Sequence, residues 1–182
     1  MSPRFASPCA RAYFVRMAEP FNDTVLPEAK AERYAAVAEE IAAVLEGEPN
    51  QVARMATVAA MLASSFDHYF WAGFYLVDPE RPRELVVGPY QGTLGCLRIA
   101  FGRGVCGAAA ETGETQVVAD VHAFPGHIAC DSRSASEIVA PVRDAAGRLI
   151  GVFDVDSETP AAFDQIDRHW LEVILARTFA GG

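Results

Sequence analysis

Cys130 lies on a polar stretch of the chain that carries several titratable side chains. The segment HIACDS places it three residues after His127 and directly before Asp131. A thiol is a nucleophile only as the thiolate, and its reference pKa is about 8.5, so its neighbours decide its reactivity. An imidazolium nearby favours the thiolate, whereas the adjacent carboxylate opposes it. The surroundings of Cys130 therefore predict a chemical use and not a packing role.

Three acidic residues lie on the two arms of one predicted hairpin, whose turn falls at residues 144–147. Asp154 and Asp156 are two residues apart on the second arm, so they share one face of the strand. Glu137 opens the first arm, and pairing about the turn brings it level with Asp154 or Asp156. The pattern predicts three carboxylates that converge at one end of a sheet.

Converging carboxylates have several uses, and the pattern alone leaves them open. They bind calcium, magnesium or manganese, and His122 or His127 would add a transition-metal ligand. They also bind an ammonium group, such as that of a free amino acid. A carboxyl group of raised pKa is an acid catalyst. The remaining interpretation is a solvated strand end, because structural ion networks also gather acids.

The other cysteines have less distinctive surroundings. Cys96 follows YQGTLG on a predicted loop, and Cys106 opens a short helix, where the helix field lowers a thiol pKa. The small residues after Cys106 equally fit a buried structural thiol. There is no Cys-x-x-Cys pair, which argues against a zinc ribbon or a thioredoxin-type motif.

Residues 1–17 differ from the rest of the chain. The first 16 residues hold three arginines and no acid. We predict that 1–17 is a disordered or mis-started leader, with Met17 as the true start, and leave Cys9 out of the chemistry. Residues 18–182 are predicted to form one domain.

The hydrophobic periods predict an α+β fold. Helical periods appear over 27–46, from Asn50 onwards, and near the end of the chain. The last helix is capped by Asp164 or Thr159, and its expected inward stripe is Ile166, Trp170, Val173 and Ile174. The segment FWAGFYLVD is apolar on both faces, as in a central strand. We expect an antiparallel sheet of about six strands, with helices on one face and a pocket on the other.

Bulk composition restricts the partners. The 182 residues are 51% hydrophobic and carry a net charge of −9, which argues against nucleic acid and anionic membranes as partners. No apolar run approaches the length of a membrane span. We therefore expect a cytoplasmic protein.

Two segments, GRGVCGAAAETGETQVVADVHAFPGHIACDSRSASEIVAPV and LIGVFDVDS, resemble the free methionine-(R)-sulfoxide reductase family, which is built on a GAF domain. The segments WAGFYL and GPYQG upstream are also similar, so the resemblance covers roughly residues 18–180. One departure is Phe153, where the family has a smaller aliphatic residue. Phe153 is predicted to face away from the acids.

The resemblance implies a role for each candidate residue. Cys130 matches the nucleophile, Cys96 the cysteine that resolves its sulfenic acid, and Cys106 an auxiliary or alternative redox partner. The acids match groups that hold the substrate amino group and polarise the sulfoxide, and two aromatic residues match the frame around the substrate methyl group. These five substrate-binding residues are Glu137, Asp154, Asp156, Trp71 and Tyr75.

The resemblance also implies the reaction and its partners. Free methionine-(R)-sulfoxide is reduced, a disulfide forms, and thioredoxin reduces that disulfide. No cofactor and no metal is implied, and the oligomeric state, a homodimer included, is left open. One rival interpretation is a GAF sensor module that binds a small molecule without catalysis. The other is a metal-dependent hydrolase that uses His122, His127 and the acids.

Overall fold

The computed structural model describes residues 30–127 and 131–181. The predicted leader 1–17, with Cys9, lies outside the described residues, and so does Cys130. Within the described ranges, no helix combines the length and the apolar character needed to cross a bilayer.

The described residues form four α-helices and one six-stranded antiparallel sheet. The helices are α1 (Lys30–Val44), α2 (Gln51–Ser65), α3 (Gly104–Thr112) and α4 (Gln165–Leu175). The strands are β1 (Trp71–Asp78), β2 (Arg81–Gln91), β3 (Arg98–Ala100), β4 (Gln116–Val118), β5 (Ser136–Arg143) and β6 (Leu149–Ser157). Their order across the sheet is β3-β2-β1-β6-β5-β4. The predicted α+β class is confirmed.

Helix ends follow the local sequence. The Asn50 side chain accepts a hydrogen bond from the Ala53 N–H at 3.0 Å and caps α2. Asp164 caps α4 in a capping box with Asp167. Gly113 ends α3 with a φ of 69°, a left-handed conformation that glycine adopts without strain. The caps at Asn50 and Asp164 lie at helix starts that the sequence predicts.

The hairpin of β5 and β6 has the register that the sequence predicts. Glu137 lies opposite Asp156, and Val139 lies opposite Asp154. Side chains alternate across a strand, so Glu137, Asp154 and Asp156 project from the same face. Phe153 projects from the opposite face and is fully buried in the core there. The departure from the family pattern at Phe153 therefore stays away from the acids.

Helices α1, α2 and α4 cover one face of the sheet and bury the main hydrophobic core. Helix α3 packs on the other face, where Val105 and Ala109 join a second core with Tyr75 and Val152. The close approach of α3 needs a glycine, because a Cβ on Gly107 would lie 2.4 Å from the Ala100 carbonyl oxygen. The predicted pocket face thus carries one helix of its own.

The predicted inward stripe of α4 is wrong at Ile166. Ile166 is 40% exposed, and its neighbour Asp167 is fully buried instead. The Asp167 carboxylate accepts hydrogen bonds from Tyr34 Oη at 2.8 Å and from the Asp164 N–H at 2.7 Å. It also pairs with Lys30 Nζ. These partners compensate the burial of the Asp167 charge. Helix α4 therefore presents Asp167, and not Ile166, to the interior.

Candidate functional site

A cavity that opens to solvent lies on the α3 side of the sheet, over the ends of β1, β5 and β6. Its floor is formed by side chains from these strands, and α3 forms one wall. The loop after β2 and the loop before β5 form its rim. All three predicted acids and both predicted aromatic residues line it, together with Cys106.

Two of the acids and a thiol meet at the bottom of the cavity. Glu137 is 6% exposed and Asp154 is 5% exposed. The Cys106 thiol donates to Glu137 Oε1 at 3.9 Å. The Cys106 sulfur and one carboxyl oxygen from each of Glu137 and Asp154 lie within 4.8 Å of one another. Cys106 is far from Glu137 and Asp154 in the sequence, and the three residues meet because α3 packs over the β5–β6 hairpin.

Burial keeps protons on this cluster. It raises the pKa of Glu137 and of Asp154 well above the ordinary carboxyl values, and the neighbouring acids raise both further. Burial, followed by the charges of Asp154 and Glu137, raises the pKa of the Cys106 thiol. Asp156 has a pKa raised by burial to about 6, although the hydrogen bond from Ser134 Oγ at 2.7 Å opposes the rise. Burial and the neighbouring acids therefore favour the protonated form of these carboxyl groups, which can donate a hydrogen bond.

One carboxylate oxygen at the bottom of the cavity lacks a partner. Asp154 Oδ1 is shielded from solvent and accepts no hydrogen bond among the described residues. A buried acceptor without a donor costs about 1–3 kcal/mol. The oxygen lies in a side chain that lines the cavity, so a ligand with a donor group would satisfy it. The site is built to receive a hydrogen-bond donor.

We expect the stability of the ligand-free protein to fall as pH rises, because of this cluster. The folded-state pKa values of Glu137, Asp154 and Asp156 are raised above their unfolded values. The stabilising contribution is complete below the unfolded pKa and is lost as pH rises through the folded pKa. For Asp156 that window runs from 3.8 to about 6. The windows of the other two acids extend further upward.

The measurement is the urea unfolding free energy of the wild type and of Glu137→Gln between about pH 5 and pH 8. Half-buried His68 has a lowered pKa, which acts in the opposite direction, so the difference between the two proteins isolates the acid cluster. The wild type should lose stability relative to the variant as pH rises. Parallel curves would show that the cluster does not hold the extra proton.

Aromatic side chains form the wall of the cavity opposite α3. Trp71 stacks against Tyr75 at 5.6 Å between ring centroids and against Tyr90 at 5.3 Å. The loop after β2 lies directly over them, and the Trp71 Nε1–H donates to the Thr93 carbonyl at 3.0 Å. A Cβ on Gly95 would lie 2.9 Å from Tyr75 Oη, so the close fit of this loop needs glycine. The result is a rigid apolar surface beside the acids.

The two rim loops are tied together at the mouth of the cavity. Thr93 Oγ1 donates to Asp131 Oδ2 at 2.8 Å, and the Arg133 guanidinium pairs with the same oxygen at 2.8 Å. The Arg133 guanidinium also lies over the Phe70 ring, 4.9 Å from its centroid. The hydrogen bond from Arg133 holds the pKa of Asp131 far below its usual range. The mouth therefore carries a carboxylate that favours the ionised form, in contrast to the acids inside, whose pKa values are raised by burial.

The predicted cysteines differ in what can be said of their positions. Cys130 lies outside the described residues. Cys96 is half-buried and packs beside the second core, near Trp71 and Tyr75. Cys106 is a buried free thiol on α3. Of these, the structure brings Cys106 into direct contact with the acids.

Two residues of the cavity contact the acids, and the predicted set of substrate-binding residues includes neither of them. His127 Nε2 lies 3.9 Å from Glu137 Oε2, and Ser134 holds Asp156. His122, the other histidine of the hydrolase interpretation, is exposed, and its ring centroid is 6.4 Å from that of His127. The HIACDS segment marked His127 as a residue of interest, but no pattern in the sequence distinguishes Ser134.

Comparisons with known proteins agree with this arrangement. The GAF domain family matches residues 50–178, which include all six strands. GAF domain-containing protein A of Dictyostelium discoideum is 50% identical over 146 residues, covering 80% of this chain and 90% of that protein. The free methionine-R-sulfoxide reductase of Escherichia coli is 40% identical over 148 residues, covering 81% of this chain and 87% of that protein. The X-ray structure of free methionine-R-sulfoxide reductase from Neisseria meningitidis, in complex with its substrate, is 48% identical with a TM-score of 0.79, covering 84% and 89%.

Proposed function

The chain belongs to the GAF-type free methionine-(R)-sulfoxide reductase family, and we propose that it reduces free L-methionine-(R)-sulfoxide to L-methionine by cysteine chemistry, with thioredoxin as the electron donor. As a member of that family it is an oxidoreductase. The cytoplasmic location and a homodimeric state remain predictions.

The observation that carries this proposal is the unpartnered Asp154 Oδ1 at the bottom of a cavity lined by acids. The α-ammonium group of a free amino acid supplies N–H donors and a positive charge. On binding, it lets the buried carboxyl groups give up their protons and act as counter-ions, because an opposite charge nearby favours the ionised form. A methionine within a peptide lacks this ammonium group and would leave Asp154 unpaired, so the site rejects it.

The same cluster supports activation of the sulfoxide. The sulfur of a sulfoxide is a poor electrophile until its oxygen is protonated or strongly hydrogen-bonded. A carboxyl group that keeps its proton supplies such a hydrogen bond. Among Glu137, Asp154 and Asp156, one acid donates to the sulfoxide oxygen while the others hold the ammonium group. The stacked rings of Trp71 and Tyr75 offer the apolar surface for the substrate methyl group.

The proposed catalytic cycle has three steps, each a reaction of a cysteine thiol. The Cys130 thiolate attacks the sulfoxide sulfur, the oxygen passes to Cys130 as a sulfenic acid, and methionine leaves. Cys96 then condenses with the sulfenic acid, which forms a disulfide and releases water. The dithiol of thioredoxin reduces the disulfide and becomes oxidised itself. Cys96 is disulfide-bonded in the structure, which supports its part in the cycle.

Cys106 has the wrong surroundings for the first attack. Burial and two carboxyl neighbours raise the pKa of its thiol, so little thiolate forms at neutral pH. Its contact with Glu137 supports a position among the groups that would face the substrate. Its role as an auxiliary redox partner remains a prediction.

The alternative function is a GAF sensor module that binds a small molecule without catalysis. The fold serves both functions, so fold alone does not decide between them. The named reductases at 40% and 48% identity support the enzyme. A sensor for a phosphate-bearing ligand would in addition want basic groups where the floor of this cavity carries acids.

We expect Cys96→Ser to reduce one equivalent of free methionine-(R)-sulfoxide and then stall with thioredoxin. The variant retains the nucleophile but cannot form the disulfide that thioredoxin recognises. The measurement is a quenched time course of methionine formation per protein chain, with thioredoxin, its reductase and NADPH. The wild type should continue over many turnovers.

Sustained thioredoxin-driven turnover by Cys96→Ser would assign the resolving role to another thiol, with Cys106 the first to test. Cys9→Ser is the matched control, because Cys9 lies in the predicted leader and should leave turnover at the wild-type rate. A wild type that forms no methionine from the (R)-sulfoxide would reject the reductase function itself.

A further inference from the structure

We propose that the cavity is also a binding site for Zn²⁺ or Cd²⁺, formed by Cys106 Sγ and the carboxyl groups of Glu137 and Asp154, with His127 Nε2 brought in as a fourth ligand by a side-chain shift, and that free amino acid and metal exclude each other there. Metal binding goes beyond the proposed reduction and does not depend on it. The mutual exclusion rests on the proposed placement of the amino group.

Three of the groups already lie near the spacing of a zinc site, because one ligand atom from each of Cys106, Glu137 and Asp154 lies within 4.8 Å of the others. At ordinary bond lengths, a sulfur and an oxygen bound to one Zn²⁺ lie about 3.6 Å apart. The Cys106 Sγ to Glu137 Oε1 distance is 3.9 Å. His127 Nε2 lies 3.9 Å from the other oxygen of the same carboxyl group, Glu137 Oε2, so it must move to reach an ion held by the three groups.

Asp154 supplies an independent sign that a ligand belongs here. Its Oδ1 is buried, lacks a hydrogen-bond partner among the described residues, and belongs to a side chain that lines the cavity. A cation satisfies such an oxygen as well as an N–H donor does. Ser134 occupies Asp156 Oδ1, whereas Asp154 Oδ1 is left for the ligand.

The sulfur decides which cation fits. Calcium and magnesium prefer oxygen donors alone, whereas a thiolate with an imidazole and carboxylates is a donor set for zinc and its softer congener cadmium. The Cys106 thiol is a free thiol among the described residues, and His127 is half-buried at the entrance to the cluster. An ammonium group makes no use of the sulfur, so the thiol is what separates a metal site from an amino-acid site. The bound ion replaces the proton of the thiol and those of the carboxyl groups.

The test is a Cd²⁺ titration of the full chain with Cys9, Cys96 and Cys130 replaced by Ser, so that Cys106 is the remaining thiol. A sulfur-to-cadmium absorption band in the ultraviolet should rise to one Cd²⁺ per chain. His127→Gln and Glu137→Gln should each weaken the affinity by more than about tenfold, since loss even of an outer-shell partner costs about 10- to 100-fold. His122→Gln is the matched control and should leave the affinity unchanged.

Either of two results would overturn the site. One is the absence of a band at stoichiometric Cd²⁺. The other is an unchanged Cd²⁺ titration of the band in His127→Gln. Because His127 lies on the rim of the cavity, this variant provides the test even if Glu137→Gln does not fold. Circular dichroism of each variant checks that it is folded.

Mutual exclusion is tested with free L-methionine added to the Cd²⁺ complex. The absorption band should fade as the amino acid rises, and N-acetyl-methionine, which lacks the ammonium group, should leave it in place. A band that resists L-methionine would overturn the exclusion while the metal site stands. Turnover of the metal-free wild type, measured separately, reports on the reductase function alone.

Discussion

Cys130→Ser should abolish the reduction of free methionine-(R)-sulfoxide. The serine hydroxyl is not ionised at neutral pH and cannot take up the oxygen as a sulfenic acid, so the first step has no substitute. Removal of a covalent nucleophile typically lowers kcat by about 10⁴-fold or more. The measurement is methionine formed per chain with dithiothreitol as reductant, which bypasses thioredoxin.

Cys106→Ser separates the nucleophile from the other cavity thiol. It should still form methionine in a single turnover, because Cys106 is buried among acids that oppose its thiolate. Mass spectrometry of the substrate-treated wild type should locate the oxidised sulfur at residue 130. Full turnover by Cys130→Ser would remove that residue from the nucleophile role.

Asp154→Asn should lower kcat/KM for free methionine-(R)-sulfoxide by about 10²- to 10⁴-fold. Removing one partner of a buried charge pair costs about 3–5 kcal/mol, and the substrate ammonium group is left without that counter-ion. Glu137→Gln should behave similarly, because both acids are buried at the same place. Steady-state kinetics with dithiothreitol measure the effect.

The stability of these variants provides the control. Asp154→Asn removes a buried carboxyl group that has no partner on one oxygen, so the ligand-free protein should be at least as stable at neutral pH as the wild type. Asp144→Asn changes an acid in the exposed turn and should leave kcat/KM unchanged. Unchanged kinetics in Asp154→Asn would make the buried acids a structural network and not a substrate site.

The sequence was sufficient to predict the hairpin that carries the acids. Asp154 and Asp156 share a face because strands have a period of two, and the turn at 144–147 fixes the pairing with Glu137. The observed register, Glu137 opposite Asp156, follows from these local rules. Helix caps at Asn50 and Asp164 are equally local and were predictable for the same reason.

The contact between Cys106 and the acids depends on tertiary packing and was not predictable from local patterns in the sequence. The position of α3 over the hairpin brings Cys106 to Glu137, and a nine-residue helix rich in alanine and glycine does not indicate which face it covers. The error at Ile166 has a similar origin. Asp167 has the position of a surface residue in the helical pattern of α4, but its partners Tyr34 and Lys30 come from α1. Long-range polar pairs of this kind leave no periodic signal in the sequence.

The central claim is that an acid-lined cavity selects a free amino acid and holds its sulfoxide for attack by a thiolate. The most direct measurement is methionine formation by the wild type from four substrates: the (R) and (S) sulfoxides of free methionine and the two corresponding N-acetyl-methionine amides. We predict turnover with the free (R) sulfoxide and a loss of at least about 10²-fold with its capped counterpart, the loss expected when a buried charge is left unpaired. Equal turnover of the free and the capped (R) sulfoxides would contradict the account, because the buried acids would then have no part in recognition.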